Sequence, residues 1–388
     1  MSTHKEPIFK ETEIGPIPEE WEVVDLEKLI DFSNGKSSPE RIINGKYPVY
    51  GSNGIIGFSD EKNLAQDSII IGRVGSYCGS VYFSNSASWV TDNAIKGCAK
   101  EGADSNYLYY LLQTLNLNKR AGGSGQPLIN QSILNAILVQ APPLDEQKRI
   151  AEILSSLDDK IELNRKMNKT LEEIAQALFK RWFVDFEFPD ENGKPYKSSG
   201  GKMIDSDLGP IPEGWRVSDI RDVVNIVYGK GLPTDKLSQV GYPVFGGNGV
   251  IGFYGEYIYE EPQVVIGCRG AGSGNIRQTY PKSFVTNNSL VLESTSNSTI
   301  DRFYLKHFLH TIDISGFVTG SAQPQITIAN LCRLNFLIPE KKLLDIFKDN
   351  LLGIDCIQTE NELEIQRLSV IRDSLLPRLM SGKIRTNS

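Results

Sequence analysis

The residue types that commonly carry catalysis are sparse in this chain. Its 388 residues include three histidines, His4, His307 and His310, and five scattered cysteines without a Cys-x-x-Cys pair. Imidazole chemistry, structural zinc and a disulfide framework therefore have little support, and we expect ordinary buried thiols. No Gly-x-x-x-x-Gly-Lys-Ser/Thr phosphate loop is present, and Ala141-Pro142-Pro143-Leu144 lacks the amide and the aromatic residue of an adenine methyltransferase site. We expect no catalytic residues, no metal and no cofactor in this chain.

A different chemistry, hydrogen bonding to phosphates and base edges, suits several glycine-rich segments. Glycine lets backbone amides approach phosphates, while arginine suits guanine and glutamine or asparagine suits adenine in the major groove. The candidate DNA-binding residues are Arg73, Ser76, Tyr77, Lys119, Arg120, Ser124, Gln126, Arg269, Ser273, Asn275, Arg277, Ser321 and Gln323. The alternative for each of them is an ordinary turn with solvated polar neighbours.

The overall charge does not decide whether the chain binds nucleic acid. It has 41 Lys+Arg and 48 Asp+Glu, a formal net charge of −7. Since duplex DNA carries one phosphate charge per ~1.7 Å, the placement of cations matters more than their sum. The 40% hydrophobic and 23% charged residues are typical of a globular protein. No apolar run could span a bilayer and no signal peptide is visible, so we expect a cytoplasmic protein without membrane association.

The chain contains an internal duplication, and this determines its organisation. Gly15-Pro16-Ile17-Pro18-Glu19 returns at an offset of 194 residues as Gly209-Pro210-Ile211-Pro212-Glu213. Asn53-Gly54-Ile55-Ile56-Gly57-Phe58 returns at an offset of 195 as Asn248-Gly249-Val250-Ile251-Gly252-Phe253. The same structural unit is therefore expected twice.

Each repeat begins with a globular part of mixed secondary structure. Short β-branched runs such as Ser68-Ile69-Ile70-Ile71-Gly72 predict strands bounded by turns, and a few stretches predict helices, so the class is α+β. The predicted segments are globular domains at 1–143 and 207–339, long helices at 144–183 and 340–381, a polar linker at 184–206 and a tail at 382–388.

The two long segments carry matching heptad patterns. One heptad position of the first is occupied by Ile150, Leu157, Asn164, Leu171 and Leu178. The same position of the second, at an offset of 197, is occupied by Phe347, Ile354, Asn361, Leu368 and Leu375. Such helices would be roughly 55 Å long and would bury their apolar stripes against each other. We predict two pseudo-two-fold-related globular α/β domains separated by a pair of long antiparallel coiled-coil helices.

An asparagine interrupts both apolar stripes at the same place. A core asparagine in a coiled coil costs stability but penalises shifted registers. Asn164 and Asn361 each lie near the middle of their helix, where equivalent residues of an antiparallel pair would meet. We predict that they are neighbours and set the helix register. The alternative is two independent, solvated polar breaks.

Several motifs together resemble one protein family. Both halves begin with Gly-x-Ile-Pro-x-x-Trp, and a glycine-rich segment follows at residues 71–79. Pro142-Pro143-Leu144-Asp145-Glu146-Gln147 opens the first long helix, and Trp182-Phe183-Val184-Asp185-Phe186 closes it. With the tandem arrangement, these motifs resemble the specificity (S) subunits of Type I restriction–modification systems over essentially the whole chain.

This resemblance implies a function and a set of partners. The two globular parts would be target-recognition domains, each recognising one half of a bipartite and usually asymmetric site on double-stranded DNA. The chain would be non-catalytic and would bind two DNA methyltransferase (modification) subunits and restriction/translocase subunits. S-adenosylmethionine, ATP and Mg are then expected on those partners. The second helix opens with Ile338-Pro339-Glu340-Lys341-Lys342 in place of the first motif, which departs from the family pattern.

Two finer predictions concern partner binding and the symmetry of the target. Phe179, Trp182 and Phe183 lie beyond the heptad stripe and are candidates for binding the methyltransferase subunits, with core packing as the alternative. Arg73 corresponds at offset 195 to Cys268, whereas Arg269 corresponds to Val74. Because this shift would turn the cation to the other side of an extended segment, we predict two different half-sites and a non-palindromic target.

A second class of function remains open at the level of sequence. A coiled-coil scaffold whose β-rich heads bind proteins would account for the acidic charge more simply. Salt-sensitive DNA binding would distinguish the two interpretations.

Overall fold

The chain divides into two compact units. The computed structural model describes residues 8–122, 127–295, 298–320 and 323–386. The first unit consists of Met1–Leu163 with Glu364–Ser388, and the second of Asn164–Leu363. The division falls inside the two long helices, so each unit contains parts of both.

The secondary structure is the α+β mixture that the sequence predicts. The strands of the first unit are β1 (Phe9–Lys10), β2 (Ile17–Pro18), β3 (Glu22–Asp25), β4 (Ile30–Asn34), β5 (Tyr47–Gly51), β6 (Gly54–Ser59), β7 (Ser68–Gly72), β8 (Val81–Ser84), β9 (Trp89–Val90), β10 (Ala94–Ala99) and β11 (Leu138–Ala141). Those of the second are β12 (Met203–Ile204), β13 (Ile211–Pro212), β14 (Arg216–Asp219), β15 (Val224–Tyr228), β16 (Tyr242–Gly246), β17 (Gly249–Tyr254), β18 (Val264–Gly267), β19 (Ile276–Gln278), β20 (Phe284–Val285), β21 (Ser289–Ser294) and β22 (Asn335–Ile338). The helices are α1 (Ser105–Thr114), α2 (Gln131–Asn135), α3 (Leu144–Phe179), α4 (Arg302–His310), α5 (Ile328–Leu331) and α6 (Lys341–Met380).

The sheets of the two units have the same strand order. A four-stranded sheet is ordered β4-β10-β7-β8 in the first unit and β15-β21-β18-β19 in the second. A three-stranded sheet is ordered β6-β5-β9 in the first and β17-β16-β20 in the second. In the first unit Ile69 and Ile71 belong to the main core, whereas Ile70 belongs to a smaller cluster, as alternation along β7 requires. The predicted duplication is confirmed at the level of topology.

Helices α1 and α4 are equivalent elements with equivalent anchors. Asp104 caps α1 by accepting from the Tyr107 amide, and Asp301 caps α4 by accepting from the Tyr304 amide. The Tyr107 hydroxyl donates to the Gln140 carbonyl at 3.2 Å, and the Tyr304 hydroxyl donates to the Leu337 carbonyl at 2.8 Å. All of these pairs are related by the offset of 197 residues.

The two long helices form as the heptad patterns predict. Helix α3 has 36 residues and continues as a π-helical turn over Lys180–Val184, and α6 has 40 residues with Pro377 in its last turn. In the first unit Arg372 Nη1 lies 2.6 Å from Asp158 Oδ1, and Lys160 Nζ lies 3.1 Å from Glu364 Oε2. Numbers rise along α3 as they fall along α6, so the helices are antiparallel.

The second unit shows the same antiparallel arrangement. Asn168 Nδ2 donates to the Gln358 carbonyl at 3.2 Å, and Gln358 Nε2 donates to the Asn168 carbonyl at 3.1 Å. Further along α3, the Phe179 ring contacts the Phe347 ring, with centroids 5.8 Å apart.

The end of α6 completes the first unit. Leu379 and Met380 are buried in its core, and Gln140 Nε2 donates to the Met380 carbonyl at 2.8 Å. Beyond the helix, Arg385 donates to both carboxylate oxygens of the buried Glu146, at 2.8 and 3.0 Å. Trp21 Nε1 donates to the same carboxylate at 2.9 Å. The predicted tail segment is thus tied to the first unit by its described residues.

We expect Arg385→Ala to destabilise the first unit. The substitution leaves the buried Glu146 carboxylate without its cation, which costs about 2 kcal/mol and lowers the melting temperature by about 4–8 °C. Differential scanning calorimetry of the full chain measures the change. The exposed Arg378 is the matched control, since its loss to Ala should leave melting nearly unchanged. Equal melting of the two variants would contradict this account of the tail.

Candidate DNA interface

The glycine-rich segments form tight loops after β7 and β18. The Gly79 amide donates to the Gly72 carbonyl at 2.8 Å, and the Gly274 amide donates to the Gly267 carbonyl at 2.9 Å. A side chain at Gly72 would collide with the carbonyl oxygens of Tyr77 and Ser52. The same holds at Gly267, so glycine allows each loop to close onto the neighbouring β5–β6 or β16–β17 turn.

In the second unit three loops meet at one edge. The Gly270 amide and the Ser273 hydroxyl both donate to the Pro324 carbonyl, at 2.9 and 2.7 Å. Asn275 Nδ2 donates to Asn248 Oδ1 at 2.7 Å, which connects the glycine-rich loop to the β16–β17 turn. We call this surface, residues 246–249, 268–277 and 323–325, the second loop cluster. Most of its predicted DNA-binding residues are solvent-accessible, while the Ser273 hydroxyl is engaged in the cluster.

The cations of the second loop cluster lie at its surface. Arg269 and Arg277 are both exposed, and Gln323 is exposed as well. The Arg277 guanidinium covers Gly249, about 3.6 Å from where a Cβ atom would stand. The cluster therefore combines two accessible guanidinium groups with amide side chains.

The first unit has an equivalent edge with different side chains. The Gly75 amide donates to the Pro127 carbonyl at 3.3 Å, as Gly270 does to Pro324. The backbone at Gly79 touches the 3-10 helix Leu117–Arg120, whose Lys119 and Arg120 are exposed. Ser76 is exposed and Tyr77 is 53% exposed. We call residues 51–54, 73–80, 117–120 and 127–129 the first loop cluster.

The structure confirms the correspondence of Arg73 with Cys268. The Arg73 amide donates to the Asn93 carbonyl, and the Cys268 amide donates to the Asn288 carbonyl. Cys268 is buried, and Arg73 is half-buried, with Nη1 donating to the Asp92 carbonyl at 3.2 Å and Nε buried without a hydrogen-bond partner. Arg269 instead forms an extended bridge with Gln325 and is exposed. The shift by one residue thus moves the cation from the loop's interior side to its solvent side.

Three predicted site residues, Ser124, Gln126 and Ser321, lie outside the described residues. Two further asparagines belong to the clusters although the sequence reasoning did not select them. Asn53 and Asn248 are exposed at the β5–β6 and β16–β17 turns. The recurring Asn-Gly pair at 53–54 and 248–249 was the signal that could have found them.

The predicted register residues occupy buried positions of the helical pair. Asn164 is fully buried and Asn361 is 9% exposed. Asn361 Nδ2 donates to Asn168 Oδ1 at 2.8 Å, one helical turn beyond Asn164. The polar layer therefore includes Asn168, which the heptad pattern did not indicate, and the mutual contact of Asn164 with Asn361 stays a prediction.

The three aromatic residues chosen as partner contacts are buried instead. Phe179, Trp182 and Phe183 belong to the core of the second unit. The Phe183 ring lies 4.9 Å from those of Tyr304 and Phe347, and 5.8 Å from that of Trp215. Their assignment as partner-binding residues is therefore corrected to the alternative, core packing, because their rings pack against α4, α6 and Trp215.

The described histidines and cysteines differ in their burial and contacts. His307 is buried beside Phe179, and its Nδ1 lies 3.8 Å from Glu172 Oε1. Burial and the nearby Lys306 lower the pKa of His307 to about 4. All five cysteines are free, but Cys356 is exposed, so the expectation of buried thiols is wrong for it. Within the described ranges no cluster of three or more His, Cys, Asp or Glu could hold a metal ion.

Comparison with known proteins decides the family. The sequence matches the family described as the Type I restriction modification DNA specificity domain over residues 18–173 and 212–365. The chain belongs to this family. Membership confirms the resemblance noted in the sequence and makes the chain a non-catalytic DNA sequence-recognition subunit, which decides against the protein-binding scaffold. In the part of the chain that the structure covers, no helix is long and apolar enough to cross a membrane.

Individual members of the specificity-domain family align over nearly the whole chain. The Type I restriction enzyme MjaIX specificity subunit of Methanocaldococcus jannaschii is 26% identical, with 97% of this chain and 96% of that protein covered. The MjaVIII specificity subunit of the same organism is 24% identical, with 100% and 98% covered. A crystal structure of a Type I restriction-modification system S subunit from M. genitalium has a TM-score of 0.61 at 20% identity, with 97% and 99% covered, and shows the same fold.

Proposed function

We propose that each loop cluster contacts DNA and that each unit recognises one half of a bipartite target. The observation that carries this proposal is that both units form an equivalent edge of loops with different exposed side chains. The second cluster offers Arg269 and Arg277, whereas the first offers Tyr77, Lys119 and Arg120. Guanidinium groups make bidentate contacts with guanine, while lysine and backbone amides bind phosphates.

The two half-sites then differ in sequence. The 3-10 helix Ile314–Phe317, which stands where the first unit has Leu117–Arg120, carries no cation. Arg277 in turn stands where the first unit has Tyr82. Because the donors occupy different places on a shared scaffold, the complete target is not a palindrome.

We expect Arg269→Ala to relax the second half-site only. Loss of one bidentate arginine removes about 1–3 kcal/mol of discrimination at one base pair. Methylation sequencing of cells carrying the complete system measures this as degeneracy at one position of one half-site. The exposed Arg216 on β14 is the control, and Arg216→Ala should leave the target unchanged. Degeneracy in both half-sites, or none, would count against the assignment of Arg269.

The long helices set the distance between the half-sites in this proposal. Two weakly binding domains that are joined by a stiff element bind DNA as linked sites, so the pair selects both half-site sequences and the distance between them. The support lies in the ladder of partly buried contacts between α3 and α6, which includes Asp158–Arg372 in the first unit and Asn168–Gln358 in the second. Asn164 and Asn361 would hold the register of this ladder.

Insertion of four residues into both helices should lengthen the DNA spacer. The insertions go between Leu163 and Asn164 and between Leu363 and Glu364, which keeps the contacts within each unit. Four helical residues add about 6 Å, which is close to two base pairs. Methylation sequencing reads the spacer directly, and a four-residue insertion at the exposed Glu191 of the linker is the control. An unchanged spacer with both half-sites intact would contradict the proposal that the long helices set the distance between the half-sites.

The exposed faces of the same helices are the proposed docking sites for methyltransferase subunits. Ile174 of α3 is 50% exposed in the second unit, and Ile371 of α6 is 47% exposed in the first. The two residues occupy the same repeat position, at an offset of 197. Equivalent apolar positions, one in each unit, fit two copies of one partner. S-adenosylmethionine would be bound by these partners, and ATP and Mg by the restriction/translocase subunits, in the cytoplasm.

Ile174→Glu and Ile371→Glu should each remove one methyltransferase subunit. A carboxylate placed in an apolar contact should weaken that contact by about tenfold or more. Native mass spectrometry of the complex measures the number of methyltransferase subunits bound per chain, which should fall from two to one. Ile43→Glu is the control, because Ile43 is 96% exposed and lies on a loop of the first unit. Retention of two partners by both helix variants would refute the docking sites.

A further inference from the structure

Helix α4 is bound to both long helices of the second unit by partly buried ion pairs. Lys306 Nζ lies 2.7 Å from Glu172 Oε2 of α3, and Arg302 Nη2 lies 2.6 Å from Asp355 Oδ2 of α6. No side chain of these four is more than 26% exposed. Burial disfavours the Glu172 carboxylate, but Lys306 and His307 outweigh this and lower its pKa to about 2. The recognition domain thus supplies the cations and the long helices supply the anions.

The first unit uses other side chains at the equivalent interface. The Tyr110 hydroxyl of α1 donates to Asp158 Oδ2 at 2.7 Å, and Arg372 of α6 pairs with Asp158 Oδ1 at 2.6 Å. Asp158 corresponds to Asp355 at the offset of 197 residues. Here the cation comes from a long helix, and the recognition domain supplies only a phenol.

The offset identifies what replaces each charged residue in the other unit. It is supported at this interface by the equivalent hydroxyl anchors of Tyr107 and Tyr304. The corresponding pairs are Lys306 with Tyr109, Arg302 with Ser105, Glu172 with Ser369, and Arg372 with Ala175. Apart from the shared aspartate, the charges that join domain to helix differ between the units.

Exchanging the domains would therefore leave partly buried charges unmatched. If the second domain packed on the first unit's helix segments, Lys306 would face the uncharged Ser369. It would also lie near Arg372, which carries the same charge. The first domain on the second unit's segments would leave Glu172 without Lys306. A buried charge that has lost its partner is strongly destabilising, and like charges add repulsion.

We propose that these ion pairs assign each recognition domain to its own helix segments, so that the two domains are not interchangeable within the chain. Through Glu172, Lys306, Arg372 and their counterparts, each pair of helix segments stabilises its own domain and disfavours the other. This assignment concerns assembly of the chain, and it holds whether or not the loop clusters contact DNA as proposed.

The test is a full-length chain in which residues 18–143 and 212–339 exchange places. A second exchanged chain also carries Glu172→Ser, Ala175→Arg, Ser369→Glu and Arg372→Ala, which transplant the helix charges together with the domains. The first should melt about 5 °C or more below the natural chain, and the second should recover most of the loss. The four substitutions in the natural domain order should be destabilising. Calorimetry of all four chains gives the comparison.

The proposal would be overturned if the exchanged chain without the four substitutions melted at the same temperature as the natural chain. It would also be overturned if the four substitutions failed to raise the melting temperature of the exchanged chain. If neither exchanged chain folds, the proposal is tested in the natural domain order with three variants: Lys306→Tyr, Glu172→Ser and the combination of the two. We expect each single change to lower the melting temperature and the double change to lower it no further than the worse single one. Additive losses would contradict the proposal. The exposed pair Lys169–Glu173, at 3.9 Å, is the control and should show almost no coupling.

Discussion

Each unit is completed by an antiparallel contact between a segment of α3 and a segment of α6. The first unit's core joins Ile150 and Leu154 of α3 to Leu379 and Met380 of α6. The second unit's core joins Phe179 to Phe347 and Leu351 in the same way. Because these segments are far apart in sequence, neither core closes until the two helices have paired. Each recognition surface is therefore supported by the pairing of α3 with α6 inside its own unit.

Polar groups within this contact make it specific as well as stable. Apolar stripes alone would tolerate a shift of one heptad, whereas Asn361 meets Asn168 and Arg372 meets Asp158 in one register only. The partly buried ion pairs of α4 extend this principle from helix register to domain identity. Each unit thereby holds its own segments of α3 and α6 in a single register.

The repeat, the helices and the family were predictable because their signals are local or periodic. Heptad spacing gave α3 and α6 to within a few residues, and recurring Asn-Gly and glycine-rich segments predicted matched loops. Burial was harder to predict, because Phe179, Trp182 and Phe183 lie beyond the heptad stripe, where apolar residues could equally form an exposed surface. Their burial depends on packing against Tyr304, Phe347 and Trp215, which the spacing of residues in the sequence does not predict.

Long-range polar contacts could not be predicted from spacing. Glu172 and Lys306 are 134 residues apart, and only the packing of α4 on α3 brings them together. The same limit applies to Arg73 and Arg269, which looked alike as loop arginines. The one-residue shift between them was visible in the sequence, but their different accessibility depends on the backbone hydrogen bond from Arg73 to Asn93 and on the bridge pairing of Arg269 with Gln325.

Base-removal interference on the assembled complex tests the central claim most directly. DNA carrying one missing base per molecule is bound, and the positions at which loss weakens binding are mapped along both strands. Two separate groups of sensitive positions with different sequences, divided by a stretch of indifferent ones, are the predicted result. A single continuous group, or two groups related as a palindrome, would contradict recognition by two differently equipped units on one helical pair.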